Sequence, residues 1–513
     1  MNNLNYVLGV DIGTTSTKAV LFTEKGKVVR QASGSYPLYC PTPGTAEQDP
    51  EEIFAEVIAT VNKILTNFPL SNLLCISFAT AMHTLIAVDE KGELLTNSIT
   101  WADNRSAAWA EKIQLEHHGK EIYQRTGTPI QGMSPFVKLV WLRHEKPEIF
   151  QRAAKFISIK EYIWERFFGE YVVDYSLAAT TGLLNAKSLT WDKEALAVAG
   201  ISQEQLSRLV PPTAIFQPLN STFAEAMGIE PETPVVIGAS DGVLANLGIG
   251  AISRGKVAIT VGTSGALRVM VDKPQIDLQQ RLFCYPLLAD KWVVGGAVNN
   301  GGIALSWVRE QLAANEVTTA KLLQKGAYEL LNSIAETTPP GAEGLIFHPY
   351  LAGERSPIWD SNARASFFGL SLRHTKAHLI RAVLEGVVYN LYLVFQALED
   401  VVGKGNTILA SGGFAKSSLW RQILADVFNR EITVPTMHES TSFGAAIIGL
   451  YALGRISSLD AVTNLVSHSE IYQPIPENVS VYERILPLYS SLLTKFQAEY
   501  AAIARIQEET ANY

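Results

Sequence analysis

The sequence has few cysteines, and they are not arranged to bind a metal or form a disulfide framework. The three cysteines, Cys40, Cys75 and Cys284, lie far apart in a chain of 513 residues, and no Cys-x-x-Cys pair occurs. Small disulfide-stabilised folds and cysteine-ligated zinc sites are therefore excluded. This cysteine usage is typical of a cytoplasmic protein.

Long apolar runs and runs of one charge are also missing. Apolar segments such as 73–82 and 444–453 are shorter than the roughly 18 residues that a membrane span needs. Residues 1–5 lack the basic and apolar parts of a secretory signal. The 42 basic residues against 50 acidic ones form no basic cluster, which disfavours a nucleic-acid partner. We therefore expect a cytoplasmic protein with neither a membrane nor a nucleic-acid partner.

The chain is rich in material for packed cores. Hydrophobic residues make up 47% of it and charged residues 18%, which is typical of a globular enzyme. Because 513 residues exceed the usual size of one hydrophobic core, we expect two or more domains.

The most informative segment is the opening one, residues 6–22, where two apolar runs flank the turn Gly13-Thr-Thr-Ser-Thr17. This pattern predicts two strands of one hairpin. Glycine permits close backbone approach, and the hydroxyl and N–H groups that follow it can bind phosphate oxygens. Asp11 ends the first strand without a local partner, and since burying a carboxylate is costly, a divalent cation is a natural partner. The alternative is a tight hairpin without a ligand.

Two later segments carry residues suited to a polar ligand at strand ends. The predicted strand 73–79 leads to Met82-His83, and a strand near residue 100 leads to Trp101-Ala-Asp103-Asn-Arg105. An aromatic face beside charged hydrogen-bonding groups is a common arrangement for holding sugars. The alternatives are a structural histidine and a surface Asp–Arg ion pair beside a buried tryptophan.

Other signals give a coarse order of elements. Asp49 as N-cap and Pro50 at the first helical position predict a helix start. Segments 85–88 and 99–101 are predicted to continue the sheet of strand 73–79. Residues 107–209 are expected to be mostly helical and loop-like, 375–402 to form a buried helix, and 442–453 a last apolar helix before a polar tail.

The second half repeats the opening pattern. Residues 257–270 contain Gly262-Thr-Ser-Gly265 between two apolar runs, and the preceding strand ends in Asp241. An acid at this position can meet a ligand at a strand end or act as a plain helix N-cap. A strand leading into Gly412-Gly413 and a helix is typical of nucleotide binding. The two Gly-Thr turns, at 13–17 and 262–265, each open a half of similar length. This repeat predicts duplicated domains.

Together these features resemble the FGGY family of carbohydrate kinases, of the actin-like and ribonuclease H-like ATPase superfamily. The resemblance covers about residues 5–460. One signature is similar to Met133-Ser-Pro-Phe-Val-Lys138-Leu-Val-Trp141-Leu, with a departure at His144; the other is similar to Ala365-Ser-Phe-Phe-Gly369-Leu370, with His378-Leu379 and Ala382-Val-Leu-Glu385 at the expected spacing.

The resemblance implies an α/β fold of two actin-like domains that face each other across a central cleft. The expected domains are residues 1–250, which carry the sugar side and the first phosphate turn, and residues 251–460, which carry the nucleotide side. A C-terminal helical extension is expected at 461–513. A homodimer is common in this family.

Within the family, several loops are most similar to those of the gluconokinases. These loops are Ser77–His83, Thr100–Ser106, Val173–Ala178, Gly238–Leu244 and Val298–Gly302. The likeness implies transfer of the terminal phosphoryl group of ATP, with Mg²⁺, to C6 of D-gluconate. A kinase for D-xylulose or another polyol is the alternative, and a nucleotide-driven actin-like or heat-shock-like protein is a more distant one.

The resemblance also implies roles for individual residues. Asp241 is expected to be the general base, and Asp11 to organise Mg²⁺ directly or through water. Arg105 is expected to bind the carboxylate of the sugar acid, with His83, Lys160 and Arg355 as alternatives. The expected ATP-binding residues are Gly13, Thr14, Thr15, Lys18, Gly262, Thr263, Gly302, Ser306, Gly413 and Ser417. The expected substrate-binding residues are Met82, His83, Trp101, Asp103, Arg105, Tyr175 and Asp241.

Overall fold

The computed structural model describes residues 4–436 and 439–511, which form two compact α/β units. Unit 1 comprises Met1–Ser253, Met270–Val294 and Glu439–Val466, and unit 2 comprises Arg254–Val269, Gly295–His438 and Ser467–Tyr513. The units are therefore not continuous in the chain. They group the residues differently from the expected boundaries at 250 and 460, because a late helix packs into unit 1.

The strands are numbered in chain order. They are β1 (Tyr6–Ile12), β2 (Ser16–Thr23), β3 (Val28–Ser35), β4 (Glu47–Gln48), β5 (Leu73–Thr80), β6 (Ile86–Val88), β7 (Ser98–Ile99), β8 (Lys155–Ile157), β9 (Val172–Asp174), β10 (Leu184–Asn185), β11 (Thr190–Trp191), β12 (Arg208–Val210), β13 (Ile215–Phe216), β14 (Val235–Ser240), β15 (Lys256–Val261), β16 (Gly265–Val271), β17 (Phe283–Leu288), β18 (Lys291–Val298), β19 (Ile346–His348), β20 (Ser366–Phe368), β21 (Thr407–Ser411), β22 (Glu431–Pro435) and β23 (His468–Tyr472).

The α-helices follow the same numbering. They are α1 (Pro50–Leu65), α2 (Ala107–Glu116), α3 (Gly119–Thr126), α4 (Pro135–Glu145), α5 (Pro147–Arg152), α6 (Ile159–Phe168), α7 (Tyr175–Thr180), α8 (Lys193–Ala199), α9 (Ser221–Met227), α10 (Asp241–Gly248), α11 (Ile303–Trp307), α12 (Ala314–Leu322), α13 (Ala327–Glu336), α14 (Lys376–Val402), α15 (Ser418–Phe428), α16 (Ser440–Ala452) and α17 (Pro476–Ala511).

The main sheet of unit 1 places three strand ends at one edge. Its order is β13-β14-β5-β1-β2-β3, and β1 and β14 both run parallel to β5. Ile12 and Ser240 each lie beside Thr80 in the register. Because the carboxyl ends of parallel strands share one edge, the residues that follow these three strands meet there. The predicted hairpin of β1 and β2 is confirmed as an antiparallel pair.

Helix α1 covers one face of this sheet and begins as predicted. The Asp49 side chain accepts a hydrogen bond of 2.8 Å from the Glu51 N–H, and Pro50 occupies the first turn. Ile53, Val57 and Val61 are buried in one core with alternate residues of β1. The cap and the apolar stripe therefore fix where the helix begins and which side faces the sheet.

Helix α16 packs on the opposite face through glycines. A Cβ atom at Gly9 of β1 would lie 1.9 Å from the Ser442 carbonyl oxygen, and one at Gly444 would lie 2.1 Å from the Leu244 carbonyl oxygen in α10. Only glycine permits such backbone approach. Segment 439–466 therefore belongs to unit 1, although it is far from β1 in sequence.

The second large sheet repeats the strand-end arrangement. Its order is β17-β18-β16-β15-β21-β22-β23. The predicted hairpin of β15 and β16 is confirmed, and β15 runs parallel to β21 with Thr260 beside Ser411. The tail forms β23, which pairs antiparallel with β22 and was not predicted, before the long helix α17.

Two predicted strands are present, but their assignment to the main sheet was wrong. Strand β6 pairs with β8, and β7 pairs with β4, each in a separate two-stranded sheet rather than in the main sheet. An apolar run predicts that a strand exists, but the partner of that strand depends on chain paths that local pattern does not encode.

Helix α14 is long and apolar enough, by length and composition alone, to cross a membrane. In the fold, 78% of its most apolar window is buried. This burial agrees with the prediction of a helix enclosed on most sides, and the core helix of a globular protein has the same composition.

Candidate functional site

Asp11 lies near the end of β1 in an environment that disfavours its own charge. Burial and the charge of Asp241 raise the pKa of Asp11 to about 8, while Lys18 acts in the opposite direction. Within the part of the chain that the structure describes, Asp11 Oδ1 is buried without a hydrogen-bond partner. A divalent cation would compensate both the burial and the neighbouring acid, so this carboxylate fits the Mg²⁺ expected here.

Such a cation would draw few of its ligands from protein side chains. Residues 4–436 and 439–511 contain no cluster of three or more His, Cys, Asp or Glu side chains that could hold a metal. Mg²⁺ commonly keeps several waters and binds one or two carboxylates together with substrate phosphates. A single carboxylate is therefore compatible with an Mg²⁺ that would take its other ligands from water and phosphate.

The turn at 13–15 is held by side chains from three other segments. The Tyr36 hydroxyl donates to the Gly13 carbonyl at 2.6 Å, and Gln48 Nε2 donates to the Thr14 carbonyl at 2.6 Å. Trp101 Nε1 donates to Thr14 Oγ1 at 2.8 Å. Because Oγ1 accepts this bond, the Thr14 hydroxyl proton remains available for an oxygen of a ligand.

Lys18, an expected ATP ligand, forms an ion pair with a residue that sequence reasoning missed. Its Nζ lies 2.8 Å from Glu439 Oε2, just before α16, and the two side chains are 40% and 23% exposed. The two residues are 421 positions apart in the chain, so no local pattern predicted this contact. The ion pair places Glu439 beside the Asp11 region, and the charge of Glu439 also raises the pKa of Asp11.

Asp241 is the first residue of α10, and its supporting strand is firmly anchored. Asp241 Oδ1 accepts from the Gly242 N–H at 2.7 Å. The Ser176 and Ser240 hydroxyl oxygens lie 2.8 Å apart. A side-chain carboxylate at this strand end, half-buried rather than enclosed, remains able to meet a ligand.

A fully buried ion pair braces the same strand. Lys160 Nζ lies 2.6 Å from Asp174 Oδ2 and also donates to the Ala239 carbonyl at 3.2 Å. Burial lowers the pKa of Lys160, against the attraction of Asp174. Asp174 caps α7, which begins with the expected substrate residue Tyr175. Lys160 is therefore paired within the scaffold, which disfavours a role for it in binding the carboxylate of the substrate.

His83 occupies a strained and buried position next to the half-buried Met82. Its φ is 65°, in the left-handed region, and only 7% of the residue is exposed. His83 Nδ1 lies 2.8 Å from the Thr180 carbonyl oxygen. Such strain in a non-glycine residue is common at functional sites, whereas the carbonyl contact matches the structural alternative.

Arg105 is already engaged by two carboxylates. Its Nε lies 3.0 and 3.1 Å from the Asp103 oxygens, and its Nη2 lies 2.5 Å from Glu47 Oε1. The guanidinium also stacks 4.7 Å from the Trp141 ring. These contacts use Nε and Nη2, so a substrate carboxylate could meet only the remaining edge of the fork. The geometry favours a loop-holding role, and substrate binding by Arg105 stays a prediction.

Lys138, in the first signature, is a further residue whose role the sequence did not indicate. It is fully buried and donates to the carbonyls of His83, Ile99 and Thr100 at 2.8, 3.2 and 2.7 Å. Burial lowers the pKa of Lys138 to about 7, while Asp103 acts in the opposite direction. A lysine inside an otherwise apolar helix was the available signal.

In unit 2, the turn at 262–264 is held by backbone hydrogen bonds. The Gly302 N–H donates to the Gly262 carbonyl at 2.7 Å, and the N–H groups of Gly301 and Ile303 donate to the Thr263 carbonyl at 3.2 and 3.1 Å. A Cβ at Gly302 would lie 2.7 Å from the Gly262 carbonyl oxygen. The glycines at 301 and 302 are therefore needed for the start of α11 to reach the turn.

The two glycines of the Gly412-Gly413 turn differ in the space around them. Gly412 has φ 97°, and a Cβ there would lie 2.4 Å from the Val261 carbonyl oxygen, whereas a Cβ at Gly413 would meet nothing within 4 Å. Gly413 thus leaves open space beside Ser417, the N-cap of α15. Ser306, also expected at the nucleotide, lies 2.8 Å from the Tyr328 hydroxyl.

Known proteins are similar to this chain over nearly its whole length. It is 52% identical to a gluconokinase of Bacillus licheniformis over 99% of both chains, and 52% identical to a gluconokinase of Bacillus subtilis over 98% of both. A xylulose kinase of Bacillus subtilis is 28% identical over 96% of this chain and 97% of the relative.

Solved structures are also similar to this chain in fold. Two structures from Lactobacillus acidophilus, one described as a gluconate kinase and the other as a ligand-bound xylulose kinase, each superpose with a TM-score of 0.92 and 39% identity. Each match covers 98% of this chain and 100% of the other. The predicted fold class, a two-domain α/β fold of the actin-like ATPase type, is confirmed.

Family models match both halves. The N-terminal domain of the FGGY family of carbohydrate kinases matches residues 6–248, and the C-terminal domain matches residues 257–453. These matches span the two Gly-Thr turns and both strand-end acids. The chain therefore belongs to the FGGY family of carbohydrate kinases.

Proposed function

We propose that this protein is an ATP-dependent gluconokinase, which transfers the terminal phosphoryl group of ATP to the C6 hydroxyl of D-gluconate. The observation that carries the proposal is 52% identity to two gluconokinases along nearly the whole chain, against 28% and 30% for the xylulose kinases of Bacillus subtilis and Staphylococcus epidermidis. The loops that follow β5, β7, β9 and β14 supply the residues expected to meet the sugar acid.

In this proposal Asp241 takes the proton from the attacking hydroxyl. A positioned general base is typically worth about 10²- to 10⁴-fold in rate. Its position at the first residue of α10, on a strand braced by Lys160 and Ser176, holds the carboxylate at the edge where β1 and β5 also end.

Each Gly-Thr turn is proposed to bind phosphate oxygens of ATP, as the family likeness implies. Phosphoryl transfer depends mainly on positioning and charge neutralisation, so hydroxyl and N–H donors suffice without a Walker lysine. Asp11 would hold Mg²⁺, which when bound neutralises developing charge on the phosphate oxygens. The Thr14 hydroxyl, oriented by Trp101, donates to a phosphate oxygen.

A kinase for D-xylulose is the second candidate, because one of the two Lactobacillus acidophilus structures with equal similarity is described as a xylulose kinase. The two candidates share the fold, the base and the turns. They differ in whether the sugar pocket favours a carboxylate end or a neutral ketose.

The deciding experiment measures ADP release by the purified protein with D-gluconate, D-xylulose, L-ribulose, glycerol or no sugar, beside Asp241→Asn. Turnover driven by gluconate and lost in the variant supports both the substrate and the base. Turnover with a neutral sugar would contradict the assignment of gluconate as the substrate. Sugar-independent hydrolysis that the substitution leaves unchanged would contradict the kinase mechanism.

We also propose a cytoplasmic location, in keeping with the unpaired thiols of Cys40, Cys75 and Cys284. The homodimer expected from the family, and the absence of nucleic-acid and membrane partners, stay predictions.

A further inference from the structure

The Lys138 ammonium is a buried charged group to which the proposed chemistry gives no task. Lys138 lies on α4, where the flanking residues Val137 and Leu139 are fully buried and apolar. Its Nζ is bound by three backbone carbonyls rather than by a carboxylate. Since burying a charge is costly unless it is compensated, a lysine here calls for a function that an apolar side chain could not supply.

The number of donors matches the number of acceptors. An ammonium group has three N–H donors and no acceptor. The three carbonyls at 2.8, 3.2 and 2.7 Å use them all. Lys138 is therefore fully engaged as a three-way bridge, and neither a proton transfer nor a direct substrate contact is left for it.

The three carbonyls belong to two loops whose flanking residues, Leu85 and Ile99, also exchange a pair of backbone hydrogen bonds of 3.0 and 2.9 Å. One is that of His83, which follows β5 and has the strained φ of 65°. The others are those of Ile99 and Thr100, directly before Trp101. Lys138 thus ties the His83 loop to the Trp101 loop at their backbones.

The bridge also reaches the first phosphate turn. Trp101, whose backbone is fixed by the contact to Thr100, donates its indole N–H to Thr14 Oγ1 at 2.8 Å. Arg105, farther along the same loop, is fixed separately by Asp103 and Glu47. Lys138 therefore holds the start of this loop together with the Ala46 carbonyl, which accepts from the Thr100 N–H at 3.0 Å, while the carboxylates hold its end.

We infer that Lys138 is a positioning residue that holds the His83 and Trp101 loops in one fixed relation and thereby sets the affinity for the sugar. This inference rests on the proposed function, because it takes those two loops as the sugar-binding ones. Lys138 acts through the loops and touches no substrate. Its loss loosens the sugar pocket first and the nucleotide side, through Thr14, only weakly.

The test compares Lys138→Met with Val140→Ala. Methionine is one atom shorter than lysine, fills most of the same space and removes every donor. Val140 lies on the opposite side of α4, two positions and about 200° away. Val140 is equally enclosed, at 3% exposed, so its truncation controls for a general loss of packing in the helix. The measurements are KM for gluconate, KM for ATP, kcat, and gluconate Kd by calorimetry without nucleotide.

For Lys138→Met we expect KM and Kd for gluconate to rise about tenfold, as for the loss of hydrogen bonds to a charged group, with KM for ATP within about twofold. Val140→Ala should leave both KM values unchanged even if it lowers the melting temperature. Equal changes in both KM values, or a lower melting temperature with an unchanged gluconate Kd, would overturn the inference.

A milder variant covers the case in which Lys138→Met does not fold. Lys138→Gln keeps two N–H donors, and it should show the same split between the two KM values at a smaller size. If the wild-type protein turns over a different sugar, the proposed substrate fails, and the comparison is repeated with that sugar. An unchanged affinity for that sugar in both Lys138 variants would then overturn the inference on its own.

Discussion

The two Gly-Thr turns look alike in sequence but are stabilised in different ways. The turn at 13–15 is held by the side chains of Tyr36, Gln48 and Trp101, and it lies beside Asp11, whose pKa is raised by burial and by neighbouring acids. The turn at 262–264 is held by N–H groups of residues 301–303. The same motif is thus held by side chains beside a buried acid in unit 1 and by backbone contacts in unit 2.

This difference teaches where each turn is vulnerable. A turn held by side chains responds to changes of functional groups, whereas a turn held by backbone contacts responds to any added volume. Single substitutions can separate these two kinds of sensitivity, from the largest expected effect to the smallest.

Loss of the acid at the unit 1 strand edge should have the largest effect. Asp241→Asn keeps the shape of the side chain but cannot accept the proton, so kcat should fall by about 10²- to 10⁴-fold. Steady-state ADP release checks this, with KM for ATP expected to stay nearly constant. A variant with near-normal kcat would remove Asp241 as the base.

Added volume at the unit 2 turn should weaken nucleotide binding. In Gly302→Ala the new Cβ would lie 2.7 Å from the Gly262 carbonyl oxygen, so the turn must shift. Overpacking of about 1–3 kcal/mol should raise KM for ATP about tenfold or more. The control is Gly326→Ala, where the nearest atom to the Cβ is 3.8 Å away and ATP affinity should not change. Equal KM values for ATP in both variants would contradict the shape-based account.

Removal of one functional group at the unit 1 turn should have a moderate effect. Trp101→Phe keeps an aromatic ring but loses the N–H that binds Thr14 Oγ1. A net hydrogen bond of about 0.5–1.5 kcal/mol predicts a fall in kcat/KM of roughly 2- to 12-fold. Trp109→Phe is the control, because this ring stacks on His144 at 4.3 Å and its π face is kept. A loss of equal size in the control would assign the effect to general aromatic packing.

The smallest effect on activity is expected at a buried acid of unit 1, where the change is one of stability. Burial raises the pKa of Glu161 to about 7, against hydrogen bonds from Ser158 and Ser207. The folded state therefore binds a proton more tightly than the unfolded state, and this contribution to stability is lost as pH rises from about 4.5 to 7.

Glu161→Gln cannot lose a proton, so its stability should fall less over the same range. We expect a difference of about 1–3 kcal/mol in the pH dependence, at about 1.4 kcal/mol per pKa unit, with kcat unchanged. Urea unfolding at pH 5 and pH 8 measures it. Parallel pH profiles for the two proteins would show that Glu161 is ionised in the fold.

Much of the fold could be predicted because its signals are local. The N-cap at Asp49, both Gly-Thr hairpins and the buried helix at 376–402 follow from capping, turn chemistry and apolar periodicity. The partners of β6 and β7 could not be predicted, because a strand of two or three residues carries no information about the strand it pairs with.

The candidate site divides in the same way. The residue types at strand ends, Asp11 and Asp241 among them, could be read from the sequence, since strand ends and polar residues are both visible there. The partners of charged groups could not. Glu439 pairs with Lys18, and Glu47 with Arg105, over 421 and 58 residues of chain.

Most elements, the two Gly-Thr hairpins and the family could be predicted from the sequence, because these depend on short motifs and on residues near one another in the chain. Only the tertiary structure decided that α16 returns to unit 1, that Arg105 is already paired, and that Lys138 bridges two loops. The physical reason is that such contacts depend on which faces and strand ends the fold brings together, and a buried charge reveals its purpose only through the groups that surround it.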